Sequence, residues 1–146
     1  YFCSSITVNN GTIQSGDHTS VHASDDVYLV LQSAKSANSQ YAQVTYTFNT
    51  ALGGLSSLSF TVEGKVSAGT QPQKVYVWNY TAPGGGTWDE WSNTTVTTSD
   101  TTVTQAVSDP SRYISGGVVK VKVKVGGSGT AVYNHYTDLV KITAMP

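Results

Sequence analysis

The chain has 146 residues and a mass of 15.4 kDa, enough for one domain, 1–146, that buries a core without covalent staples. Charged residues make up only 12%, about half the usual share. Eight basic against nine acidic residues leave a net charge of -1, which argues against a nucleic-acid partner. No apolar run approaches the ~20 residues that membrane insertion needs.

Ser, Thr, Asn and Gly take the place of the charges. Asn-x-Ser/Thr acceptor tripeptides begin at Asn10, Asn79 and Asn93, and these three asparagines are glycosylation candidates. Together with the scarcity of lysine, this composition points to an extracellular protein, secreted or at the cell surface. Tyr1 opens the chain and Met145 is its sole methionine, so it reads as a processed form or a module of something longer. Cys3 is the single cysteine. It is either a free thiol or a partner for a neighbouring chain.

Strand signals run the length of the sequence. Ser4 to Val8 reads as an N-terminal strand, and the apolar Tyr1-Phe2-Cys3 before it makes 1–10 a segment that copies could exchange. His18 and His22 lie in a loop with no Glu between them, a poor zinc pattern. Val27 to Gln32 is the next strand. In Tyr41 to Phe48, Val44, Tyr46 and Phe48 share one face. Leu58, Phe60 and Val62 do the same, then Val75 and Val77, alternating with Tyr76 and Trp78. Trp91 to Thr97 and Thr102 to Val107 follow. Val119, Val121, Val123 and Val125 alternate with Lys120, Lys122 and Lys124, one buried face and one wet. Thr137 to Thr143 closes the set.

Glycine pairs and the Gly84-Gly85-Gly86 triplet punctuate these strands, and no segment keeps a 3.6-residue period. The reading is all-β: a single antiparallel β-sandwich, jelly-roll or immunoglobulin-like, which the pattern itself does not separate.

The second half resembles a known kind of module. Val75-Tyr76-Val77-Trp78-Asn79-Tyr80, the glycine turn before Trp88, Thr98-Ser99-Asp100, Asp109-Pro110-Ser111-Arg112-Tyr113-Ile114 and Tyr136 to Ile142 succeed one another. This order over residues 74–143 is similar to galactose-binding-like jelly-roll modules appended to secreted glycosidases and microbial surface proteins. The resemblance implies a jelly roll, with carbohydrate binding, adhesion or spacing as its uses.

No acid/base carboxylate pair, catalytic triad or phosphate loop stands out, so the chain reads as no enzyme. The adjacent Asp25 and Asp26 would repel each other, and Asp138 lies in the last strand, which in a jelly roll neighbours the first. These three carboxylates are candidates for a structural calcium ion. The aromatic residues are the candidate site. Tyr76, Trp78 and Tyr80 project from one face of a strand, and the glycine turn would let Trp88 and Trp91 fold over them. Rings there would stack on sugar faces while Asn79 and Asp89 bond hydroxyls. Stacking alone implies little salt dependence. Two functions follow: a non-catalytic extracellular carbohydrate-binding module, whose partner is a polysaccharide or glycan, or a structural subunit of a filament, adhesin or cell-surface scaffold built from copies of itself.

Overall fold

A computed structural model describes residues 1–127 and 129–146. Eleven strands run in chain order: β1 (Ser5–Asn10), β2 (Thr12–Ser15), β3 (Leu29–Gln32), β4 (Ala34–Ser36), β5 (Ser39–Asn49), β6 (Ser57–Val66), β7 (Gln71–Asn79), β8 (Thr87–Val96), β9 (Thr101–Ala106), β10 (Val118–Gly126) and β11 (Asn134–Met145). Two short 3-10 turns, His18–Val21 and Pro110–Tyr113, are the helical elements among the described residues. Among the described residues no helix is long and apolar enough to cross a membrane.

The strands form two antiparallel sheets. The first has the order β1-β5-β10-β7-β8, with β4 paired to one end of β5, and the second β2-β3-β11-β6-β9. Strands adjacent in sequence repeatedly fall in opposite sheets, which gives a jelly-roll sandwich. All the long alternating segments appear as strands. β2 and β4 are additional: both are short and mostly exposed, and neither has an apolar face to announce it.

Period-two burial builds the core. Val44, Tyr46 and Phe48 of β5, Val75 and Val77 of β7, and Val119, Val121, Val123 and Val125 of β10 face inward from the first sheet. Leu58, Phe60 and Val62 of β6, with Leu29, Leu31, Val140 and Ile142, meet them from the second. Each fully buried side chain of this size contributes about 1.5–3 kcal/mol.

The N-terminal segment bridges the sheets. Phe2 pairs with Lys141 of β11, and the Tyr1 ammonium donates to the Ile142 carbonyl at 2.6 Å. Three residues on from Phe2, β1 begins and pairs with β5 along the edge of the first sheet. Between them Cys3 is 2% exposed. Burial pushes its thiol up to about 11, and in the folded chain it is a packed core group.

One polar group stands out in the core. His135 is 3% exposed, and its Nε2 has no hydrogen-bond partner. Gly64 of β6 lies against it, where a Cβ would press on the Tyr136 carbonyl and the imidazole. Burial lowers the His135 pKa from 6.5 to about 4. Protons therefore bind the unfolded chain better, and the penalty grows as pH falls from 6.5 towards 4. At about 1.4 kcal/mol per unit, His135 should remove roughly 3 kcal/mol of stability over that window and nothing above it. Urea unfolding near neutrality and at acid pH, for the native chain and His135→Gln, should show this extra acid loss only in the native chain.

Candidate functional site

The outer face of the first sheet gathers most of the predicted aromatic site. Because Val75 and Val77 point into the core, Tyr76 and Trp78 of β7 point out. The β7–β8 ladder sets Trp78 opposite Trp88 and Tyr76 opposite Glu90. Trp78 and Trp88 meet edge to face, ring centroids 5.1 Å apart. Gly86 takes a positive φ of 119°, and a Cβ there would drive into the Trp78 ring. The glycine turn thus packs its backbone against one side of Trp78. Tyr76, Trp78 and Trp88 are all half-buried.

The β10 lysines share this face. Lys122 pairs with Tyr76, and Lys124 with Lys74. The Lys122 ammonium lies 4.9 Å from the Tyr76 ring centre and 4.5 Å from that of Trp88, bridging the two. The Lys124 ammonium sits 4.4 Å over Tyr41 of β5. Partial burial, then the neighbouring Lys124 charge, lowers the Lys122 pKa. Lys74 and Glu90 form an ion pair at 3.3 Å. Rings and ammonium groups therefore make one surface, which the sequence presented as two separate features.

Other predicted site residues lie elsewhere. Asn79 is buried, and its amide donates to Asp89 Oδ2 at 2.9 Å. The Tyr113 hydroxyl donates to the same oxygen at 2.8 Å. Asn79 Oδ1 accepts from the Thr81 amide and hydroxyl. Asn79 and Asp89 hold the β7–β8 hairpin to the Pro110–Tyr113 turn instead of facing the rings. Trp91 packs on the core, edge to face with Tyr113 at 5.8 Å. The cause is register: β8 starts at Thr87, so Trp88 and Trp91 share one strand, and the bulge between Val75 and Tyr76 makes Trp91 the extra residue. Tyr80 follows β7, half-buried, with its amide on the Arg112 carbonyl.

The glycosylation candidates divide likewise. Asn10 donates to the Ala34 and Tyr41 carbonyls and Asn79 is buried, whereas Asn93 is exposed on β8.

The acidic residues converge on the second sheet. Carboxylate oxygens of Asp26, Asp100 and Asp138 lie within 4.8 Å of one another. Asp138 is the bulged residue of β11 between Thr137 and Leu139, which turns its side chain aside from the ladder. It is 1% exposed and accepts from the Asp25 amide at 3.3 Å. The Tyr28 hydroxyl lies 2.9 Å from Asp26 and 2.8 Å from Asp100. Its single proton serves only one of them at a time. Asp25 is the corrected member: its carboxylate turns back to the Val27 amide at 3.1 Å. Asp100, in the turn before β9, takes its place. The sequence offered only the Thr98-Ser99-Asp100 turn as a hint of it.

A family model described as "Uncharacterized protein, C-terminal domain" matches residues 3–146. The chain belongs to this AF_1625_C family. No curated protein matches it in sequence. Solved structures do match in fold. One comes from work on the "promiscuous specificity of the carbohydrate-binding modules from the beta-sandwich super family", with TM-score 0.52 and 10% identity over 94% of this chain and 52% of that one. Another is TmCBM61 in complex with β-1,4-galactotriose, with TM-score 0.54 and 10% identity over 96% and 87%. A third is the CBM22-1-GH10 part of Clostridium thermocellum xylanase 10B complexed with xylohexaose, with TM-score 0.58 and 14% identity over 98% and 26%. The chain thus spans about half of the first of these and a quarter of the third. At such identities the likeness is one of fold: a jelly-roll sandwich of the kind found in carbohydrate-binding modules.

Proposed function

We propose that this domain is a non-catalytic, extracellular carbohydrate-binding module whose glycan lies across the outer face of the first sheet. The observation that carries the reading is the cluster of Tyr76, Trp78 and Trp88 on the outer face of two adjacent strands, with Trp78 opposite Trp88 and the Lys122 ammonium bridging Tyr76 and Trp88. Ring faces stack on the C–H side of a pyranose and gain chiefly by desolvation. Such an open face suits an extended polymer. Solved proteins of the same fold that bind β-1,4-galactotriose and xylohexaose support it by analogy. Stacking one or two sugars fits an affinity in the micromolar to millimolar range.

The acidic cluster also fits a structural cation. Three carboxylates offer hard oxygen ligands. Asp138 is buried. Among the described residues no ammonium group lies within ion-pair distance of any of them. Calcium held by Asp26, Asp100 and Asp138 would pin the loop before β3 and the turn before β9 to β11.

Two outcomes check these readings. In calorimetry against a panel of neutral and acidic polysaccharides, at least one glycan should bind. Trp88→Ala should weaken that binding about tenfold or more, whereas Trp91→Ala should cost about 3 kcal/mol of stability. Binding unaffected by Trp88→Ala would place the glycan elsewhere. For the cation, added calcium should raise the melting temperature of the native chain and leave that of Asp138→Asn unchanged.

A further inference from the structure

The outer face of the first sheet carries a surplus of positive charge. Lys74, Lys120, Lys122 and Lys124 are four of the chain's seven lysines. All four project from it, because the residues alternating with them point into the core. Of the nine acidic residues, Glu90 alone shares the face, and it is paired with Lys74. Five of the others, Asp25, Asp26, Asp100, Glu63 and Asp138, belong to the second sheet and its loops. The near-zero net charge of the chain therefore hides a strong separation.

Three of the four ammonium groups are uncompensated. Among the described residues no carboxylate lies within ion-pair distance of Lys120, Lys122 or Lys124. Lys122 and Lys124 rest on aromatic rings instead. Such a contact is worth about 0.5–1 kcal/mol at an exposed site, less than a charge-assisted hydrogen bond. An anion arriving beside Tyr76 and Trp88 would thus draw Lys122 off their ring faces and leave those faces free to stack. Along β10 the three lysines repeat every second residue, about 7 Å apart, which is of the order of one sugar unit. A neutral glycan offers these groups only hydroxyls.

Building on the carbohydrate-binding reading above, we infer that the ligand is an acidic polysaccharide, its carboxylate or sulfate groups paired with Lys120, Lys122 and Lys124 while its sugar faces rest on Tyr76 and Trp88. The salt dependence then departs from that of pure stacking: binding should weaken as salt screens these pairs.

The test is calorimetry on the whole chain at low and high salt. Its probes are oligogalacturonate, a sulfated oligosaccharide, neutral β-1,4-galactan and oligo-dT. At least one acidic sugar should bind about tenfold or more tighter than galactan and lose roughly that factor at high salt. Lys122→Gln should remove most of the preference, and Lys141→Gln on the other sheet should keep it. Comparing the two acidic sugars tells carboxylate from sulfate. Equal binding of galactan and acidic sugars, untouched by Lys122→Gln, would overturn this inference and leave a neutral-glycan module standing. No binding of any glycan would overturn both. Oligo-dT binding as tightly as the acidic sugars, or acidic binding that survives Trp88→Ala, would mean general polyanion attraction and would also overturn it.

Discussion

Strand β10 is the constraint on which the rest depends. It lies between β5 and β7 in the middle of the first sheet, and its strict alternation allows one register. Val119, Val121, Val123 and Val125 fill the core. A slip by one residue would bury lysines and expose valines, at a cost of several kcal/mol for each buried charge. Fixing that register also fixes what lies outside. Lys122 must then face Tyr76 on one side and Thr45 on the other. The same valines that stabilise the sandwich thus assemble the charged aromatic surface.

The two sheets divide the chemistry. The first presents rings and ammonium groups; the second, with its loops, gathers carboxylates around a bulge in β11. Both depend on departures from a regular ladder. In β7–β8 the bulge shifts the register at Trp91, whose ring packs on the core while Trp88 stays outside. In β11 another turns Asp138 aside to meet Asp26 and Asp100. Buried polar links such as Asn79–Asp89–Tyr113 then hold the hairpin beneath the rings. Removing Asp89 would leave two buried donors unmatched, which is why that carboxylate belongs to the scaffold.

Much of this was legible in the residues. The long strands and the core announce themselves by period two, and so does the outward direction of Tyr76, Trp78 and the β10 lysines. Pairing is what a single sequence hides. Lys122 and Tyr76 are distant in the chain, and nothing local says that β10 and β7 are neighbours. Parity hid Trp91: with Trp88 read as part of a turn, both rings could fold to one side, whereas in a continuous strand an odd spacing puts them on opposite faces. Asp25 looked like a ligand because it adjoins Asp26, yet adjacency in a tight loop turns one carboxylate towards its own backbone. Asp100 joins the cluster only through the fold.

The central claim is that the lysine–aromatic face of the first sheet is the surface that meets a glycan. Amide and indole chemical shifts recorded during titration with oligogalacturonate test it most directly. The account predicts that perturbations centre on the Trp88 indole, Tyr76 and Lys120 to Lys124, fading towards the second sheet. Shifts confined to the second sheet, around Tyr28 and Tyr136, would contradict it.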